Sequence, residues 1–367
     1  MIHVFFIGYV LSTFIYGDLD KIGLLYFGSI GLVYRLQVNH KLHTKIDVLL
    51  LFIIYLILVS FYLMSYKALA FALLFLLQYG LTYYVYINIK KYGDKLVYKW
   101  IKLFILYQII FVLIGLIDFF LYKNGIISPI RDYTISWKVD SLYGNPNPFG
   151  IVSGISFVIL KYIKNLYKNT RYIILSILFM GVLLSGSDMA LGIVILGILL
   201  EYFSLKFTYK ILFVFGIFGL YYMLNKDFAF LDEIFNKRLE IWIVAFNHFQ
   251  SHYIIGIGTG VFQSTVDQMD NTMGINSNYG LHSMYLWLLI ECGLIGTVIY
   301  SYFVSLILRL DSMNSNTIKI FKKVFFITLL SQLTEFFIDH VEYFQLLYAL
   351  IIGIIFGKYY HECAKQS

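Results

Sequence analysis

Long runs of apolar residues, separated by short polar connections, extend along the whole chain. A helix needs about 20 apolar residues to cross the hydrocarbon core of a bilayer, with a range of roughly 17–25. The pattern therefore predicts an all-α polytopic membrane protein with about 12 transmembrane helices, forming a single transmembrane domain over residues 1–367. The predicted spans are residues 3–16, 21–36, 46–65, 68–88, 100–121, 149–163, 171–186, 189–205, 211–224, 283–307, 322–338 and 342–357.

Two connections between the predicted spans are long, residues 122–148 and residues 225–281. Most of the 28 Lys and Arg residues fall on one side of the membrane when both termini are placed in the cytoplasm, as the positive-inside rule requires. The two long loops then face outside. Long loops in a protein with otherwise short connections are where function is expected. The polarity pattern thus predicts a multi-pass membrane protein with its site on the outer face.

Composition agrees with a membrane protein. Hydrophobic residues make up 60% and charged residues 13% of the chain, whereas soluble domains average roughly 45–50% and about 25%. The net charge of +7 is accounted for by cytoplasmic connections that face anionic lipid, so nucleic acid is excluded as a partner. Cys292 and Cys363 fit neither a disulfide framework nor a zinc cluster, and we expect no metal and no cofactor.

The second long loop contains a stretch, residues 231–252, with the pattern of an amphipathic helix. Arg238, Trp242, Ala245 and Phe249 share one face at helical spacing. Such a helix lies in the membrane interface or packs among the spans. Arg238 then has two readings: an interfacial anchor whose charge reaches the headgroups, or a functional cation.

Gly256, Gly258 and Gly260 alternate in the segment that follows this helix. Glycine permits positive φ and close approach of other groups. The segment is either a nest of N–H groups for an anion or a tight turn that returns the loop to the membrane.

His282 opens the predicted span 283–307, and Glu291 lies nine residues further along it. The two residues fall on opposite faces of one helix, so they cannot be a contacting pair within it. A carboxylate inside a membrane is usually functional or paired, and we expect Glu291 to tether a neighbouring span. His282 is either an interfacial histidine with a backbone partner or a catalytic group.

Taken in order, the segments RLEIWIVAF, GIGTGVF and HSMYLWLLIECGLIG resemble the signature of the O-antigen ligase/polymerase superfamily, bacterial membrane glycosyltransferases that use lipid-linked oligosaccharides. The segment LYGNPNPFGIVSG is similar to an Asn-Pro-Asn-type element of these proteins. The residues that carry the resemblance are Arg238, Trp242, Gly256, Gly258, Gly260, His282, Glu291, Gly293 and Gly296, with Asn145 and Asn147 in the second element.

The resemblance implies glycosyl transfer at the outer face, without a metal, with undecaprenyl diphosphate as the leaving group. It gives His282 the role of base or acceptor-positioning group and Arg238 that of diphosphate ligand. Asn145, Asn147 and the three glycines would contact substrate, with Trp242 and Glu291 supporting the site. One departure stands out: Asp188 occupies the position of a basic residue common in the family, so Arg131 or Lys138 is expected to supply that charge.

The resemblance leaves the acceptor open. A polymerase joins undecaprenyl-diphosphate-linked repeat units for capsule, exopolysaccharide or O-antigen, whereas a ligase moves the glycan to another acceptor. A polytopic transporter or lipid-linked saccharide flippase is the alternative from another class, although internal repeats typical of transporters are not evident. Flippase and chain-length regulator proteins are the expected protein partners of a polymerase.

Overall fold

The structure, a computed structural model, describes residues 19–37, 45–123, 138–139, 141, 146–203, 207, 210, 238–262, 281, 283–312, 315–332 and 342–366. Over these residues the regular structure is entirely α-helical, which confirms the predicted all-α class. The helices are α1 (Leu19–Gln37), α2 (Asp47–Tyr62), α3 (Tyr66–Tyr92), α4 (Asp94–Lys123), α5 (Pro146–Tyr162), α6 (Arg171–Ser185), α7 (Asp188–Tyr202), α8 (Arg238–His252), α9 (Met284–Glu291), α10 (Gly293–Arg309), α11 (Asn316–Ser331) and α12 (Glu342–Gln366).

Serine residues begin several helices, and glycine residues end others. The hydroxyls of Ser65, Ser187 and Ser315 cap α3, α7 and α11 by accepting a backbone N–H from the first turn. Gly93 and Gly186 follow α3 and α6 with φ of +63° and +56°, a conformation that favours glycine. These local signals divide the continuous apolar sequence into separate helices joined by short connections.

Helix α3 is central to one half of the bundle and packs against α1, α2 and α12. The contact with α12 is close because α12 presents glycines there. A Cβ at Gly353 would lie 2.5 Å from the Val85 side chain, and one at Gly357 would lie 2.7 Å from Ile89. Small residues allow helix backbones to approach in this way inside membranes. In the other half, α5 packs against α6, α7 and α11.

Two of the described helices, Tyr66–Tyr92 and Asp94–Leu121, are long and apolar enough to cross a membrane by length and composition. Three shorter apolar helices are Asp47–Tyr62, Arg171–Ser185 and Gly293–Arg309. The number of spans and their orientation stay predictions. The predicted span at residues 3–16 lies outside the described residues, as do the span at 211–224 and most of the two long loops.

Hydrogen bonds and ion pairs join helix ends that the predicted topology places on the same side. At the predicted inner side, the Asp94 carboxylate accepts from the Thr317 hydroxyl at 2.9 Å and pairs with Lys358 at 2.8 Å. At the predicted outer side, the Met284 N–H donates to the Gln332 carbonyl at 3.1 Å. The predicted outer end, where α8, α9 and the C-terminal end of α11 meet, contains several of the residues that the sequence singled out.

Candidate functional site

The glycine-rich segment after α8 forms a compact turn. Gly256, Gly258 and Gly260 all have positive φ, at +78°, +95° and +72°. The turn docks on the end of α9, where the Ile257 N–H donates to the Ile290 carbonyl and the Gly258 N–H donates to the Glu291 carbonyl, both at 3.0 Å. The contact is so close that a Cβ at Gly256 would lie 2.3 Å from the Glu291 carbonyl oxygen.

The Glu291 side chain also binds the glycine-rich turn. Its carboxylate accepts the Gly260 N–H at 2.6 Å and the Phe262 N–H at 3.0 Å, and the residue is buried. Two converging backbone N–H groups form an anion site. In this structure the anion that they bind is the chain's own carboxylate. The interaction stabilises the turn and satisfies a buried charge, because hydrogen bonds to an ionised carboxylate are stronger than neutral ones.

The predicted continuous span 283–307 is wrong in one respect, since the structure interrupts it at Cys292. Helix α9 ends at Glu291 and α10 begins at Gly293, which has φ of +65°. The backbone groups released by the break find partners: the Leu294 N–H donates to the Tyr253 carbonyl at 2.9 Å, and the Tyr55 hydroxyl donates to the Cys292 carbonyl at 2.8 Å. Irregular backbone at membrane depth is tolerated where it is buried in protein.

Helix α8 (Arg238–His252) falls within the predicted amphipathic helix 231–252, and residues 231–237 lie outside the described residues. Ile241 and Ala245 are buried, whereas Phe246 on another face is exposed. The Trp242 indole N–H donates to the Leu281 carbonyl at 3.1 Å. The structure describes the Arg238 backbone only, so the diphosphate role of its side chain stays a prediction.

His282 lies outside the described residues, but both of its neighbours in the sequence are described and buried. Leu281 is held by Trp242 of α8. On the other side, the Met284 N–H donates to the Gln332 carbonyl, and the Tyr285 hydroxyl donates to the Leu329 carbonyl at 3.0 Å. The chain is thus fixed on both sides of His282, by α8 before it and by the end of α11 after it.

The first long loop is described at only a few positions. Lys138 is half-buried, and the next residue, Val139, donates its N–H to the Leu184 carbonyl at 2.9 Å. This bond brings the Lys138 backbone beside the turn that leads to Asp188. Asn147 lies in the first turn of α5 at the same end of the bundle. Arg131 and Asn145 lie outside the described residues.

Gln332 is a residue that sequence reasoning did not identify. The side chain has 0% exposure, and neither its amide nitrogen nor its amide oxygen finds a hydrogen-bond partner among the described residues. Leaving such a group unsatisfied costs about 1–3 kcal/mol. A clue was available, because a glutamine inside the predicted span 322–338 is a polar group in an apolar run.

The described residues form an apolar helical bundle with an interrupted helix and a buried carboxylate that binds a glycine-rich turn. These features fit a helical membrane protein, and two of the described helices are long and apolar enough to cross a membrane. Residues 149–301 match a family model described as O-Antigen ligase. This match confirms the resemblance to the O-antigen ligase/polymerase superfamily, whose members are membrane-integral, glycan-transferring enzymes. The matched segment contains α8, the glycine-rich turn, His282 and Glu291. No match to a curated protein accompanies it.

Proposed function

We propose that the protein is a polysaccharide polymerase that joins undecaprenyl-diphosphate-linked oligosaccharide repeat units at the outer face of the bacterial cytoplasmic membrane. The observation that carries the proposal is the convergence of three motifs. Glu291 binds the glycine-rich turn, the turn follows α8, and Trp242 of α8 holds the chain beside His282. These bonds connect α8, which begins at Arg238, and the glycine-rich turn with the residues on either side of His282, although the three motifs are spread over more than forty residues.

In this proposal His282 takes the proton of the acceptor hydroxyl, a task that suits an imidazole with an ordinary pKa of about 6.5. The hydroxyl oxygen then bonds to the anomeric carbon of the donor as the bond from that carbon to the diphosphate oxygen breaks. Undecaprenyl diphosphate leaves with the bonding electron pair, and Arg238 stabilises its charge by bidentate hydrogen bonds. The reaction balances without metal or redox chemistry.

A second basic group completes the diphosphate site in this proposal. The position expected to be basic holds Asp188, and the Val139–Leu184 hydrogen bond brings the Lys138 backbone next to the turn that leads to Asp188. Lys138 is therefore our preferred substitute, with Arg131 as the other basic residue of that loop. Asn145 and Asn147 stand near the start of α5 at the same end and are proposed to contact the sugar or the diphosphate.

A ligase that moves the finished glycan to another acceptor is equally consistent with the family match. The break at Cys292 is one observation in favour of the transporter alternative, because interrupted helices are common in transporters. Here, however, Tyr55 and Tyr253 bind backbone groups at the break, and the neighbouring Glu291 carboxylate binds the glycine-rich turn. The interruption therefore brings the turn against the end of α9. We therefore favour transfer over transport, with flippase and chain-length regulator proteins as separate partners.

The lipid-linked intermediates of cells that lack the protein distinguish these functions. Loss of a polymerase leaves single repeat units on undecaprenyl diphosphate at the outer face, and long polymer disappears. Loss of a ligase leaves long polymer on the lipid, without its final acceptor. Loss of a flippase traps single units on the cytoplasmic side. The first pattern is the one expected, and either of the others would contradict the proposal.

A further inference from the structure

A cavity of about 620 Å³ lies at the opposite end of the bundle from the candidate site. Its wall is formed by the start of α4, the connection after α5, the end of α7 and the start of α11, and includes Tyr98, Lys164, Glu201, Lys319 and Lys323. Its volume falls within the range of roughly 300–1,000 Å³ typical of small-molecule sites. Nothing in the proposed transfer reaction uses it.

The charges around the cavity favour an anion. Lys164, Lys319 and Lys323 bring three ammonium groups to the wall, whereas Glu201 is the carboxylate among the described lining residues. That carboxylate pairs with Lys161 at 3.1 Å, so its charge is compensated by a residue outside the wall. Asp94, which accepts from the Thr317 hydroxyl of the wall, is likewise paired, with Lys358.

Two of the three lysines are well placed to receive a ligand. Lys164 and Lys319 are exposed, so their ammonium groups can reorient toward an incoming anion. Lys323 is held more rigidly, since its ammonium donates to the Leu200 carbonyl and lies 5.6 Å from the centre of the Tyr162 ring. The first backbone N–H groups of α11, at Asn316 and Thr317, lie at the same wall, where the helix dipole adds positive potential.

We infer that this cavity binds a phosphate group, supplied by the headgroup of an anionic phospholipid. All four wall segments are at the predicted cytoplasmic side, at the level where anionic headgroups lie, and basic pockets between spans on that side bind such lipids. The placement rests on the predicted orientation, but the cavity and its charges do not. A free cytoplasmic phosphate compound has the same chemistry and is the other source to distinguish.

The test uses the full-length protein in nanodiscs of phosphatidylcholine, with and without phosphatidylglycerol, and measures retained lipid by native mass spectrometry together with thermal stability. Phosphatidylglycerol is expected to be retained and to raise the melting temperature. The double variant Lys164→Gln/Lys319→Gln is expected to weaken retention by about fivefold for each lysine. The matched control Lys91→Gln/Lys168→Gln removes two exposed lysines from the same predicted side but outside the cavity wall, and is expected to behave as wild type.

Adding inorganic phosphate separates the two sources. Competition by inorganic phosphate against phosphatidylglycerol in the wild-type protein, at an ionic strength held constant with chloride, assigns the cavity to a soluble phosphate compound, whereas resistance assigns it to the lipid headgroup; the phosphate site stands in both cases. Equal retention of phosphatidylcholine and phosphatidylglycerol, or equal losses in the two double variants, would overturn it. Neither readout depends on glycan transfer, so the result is independent of the proposed function.

Discussion

The Glu291 carboxylate accepts the backbone N–H of Gly260 at 2.6 Å, across 31 positions of sequence. This bond connects an acid inside a predicted span to a glycine in a predicted loop. It explains why an apolar run retains a carboxylate, since the acid binds the turn that the candidate site requires. The relationship leads to predictions that separate the stability of the turn from the chemistry next to it.

Replacing Glu291 tests the connection directly. In the wild type, each carboxylate oxygen of Glu291 accepts one backbone N–H of the turn. In Glu291→Gln, the amide NH₂ replaces one of these acceptors, so one backbone N–H is left buried and unpaired at a cost of about 1–3 kcal/mol. We expect a lower melting temperature of the detergent-solubilised protein and a loss of glycan transfer per folded molecule. Asp47→Asn is the control, because Asp47 is another buried carboxylate that does not contact the turn. Its carboxylate pairs with the Arg35 guanidinium at a distance of 3.3 Å. Equal loss of specific activity in both variants would contradict a local role for Glu291.

The close packing of Gly256 in the glycine-rich turn leads to a second prediction. In Gly256→Ala, the new methyl would lie 2.3 Å from the Glu291 carbonyl oxygen, at a φ of +78°. The backbone conformation alone costs about 1–3 kcal/mol, and the clash cannot be relieved by a side-chain rotation. Gly192→Ala is the matched control, since a Cβ there meets nothing within 4 Å on α7. The melting temperature should fall clearly in Gly256→Ala and little or not at all in Gly192→Ala. Similar melting temperatures would mean that the turn is not packed as described.

Gln332 gives a prediction with opposite signs for stability and activity. Gln332→Leu removes a buried amide without a partner among the described residues, which should raise stability by about 1–3 kcal/mol. If the amide hydrogen-bonds to a substrate hydroxyl, the rate of glycan transfer should fall at the same time. Such a trade-off between stability and activity is common at functional sites. Gln108→Leu is the control, because the Gln108 amide donates to the Ser153 hydroxyl at 2.8 Å and its loss should destabilise. A more stable and fully active Gln332→Leu protein would remove this residue from the site.

The ion pair between Lys358 and Glu362, at the predicted cytoplasmic end, should make the stability of the protein depend on pH. The hydrogen bond from the Lys358 ammonium lowers the pKa of the Glu362 carboxyl below its ordinary value of 4.5. A depressed carboxyl pKa contributes stability that is present above the ordinary pKa and is lost as pH falls through the folded one. Melting temperatures of the wild type should therefore decline below about pH 4.5. The decline should be shallower in Glu362→Gln, and an identical pH profile for the two proteins would argue against the pair.

The sequence predicted much of the fold, because apolar runs of span length and the serine and glycine residues at helix ends are local signals. It placed α3, α4 and the helix around Trp242 correctly. It missed the break at Cys292, since the residues on both sides of Gly293 are apolar and the break depends on distant partners such as Tyr55 and Tyr253.

The candidate site was predictable in part. The motifs around Arg238, the glycines and His282 could be recognised in order, but their connection could not. The acceptors and donors that join them, the Leu281 carbonyl and the Phe262 N–H among them, are backbone groups that every residue carries. Gln332 was missed for a different reason: the consequence of a polar residue in an apolar run depends on whether it finds a partner, which only the packing determines.

The most direct measurement of the central claim uses purified protein reconstituted with a lipid-linked repeat unit, and follows product length on a gel. Wild-type protein should produce a ladder of longer glycans and release undecaprenyl diphosphate. His282→Ala should produce none, while it retains the wild-type melting temperature and helical content. A ladder of undiminished length and rate from the folded His282→Ala protein would contradict the role of His282 and, with it, the proposed mechanism of transfer.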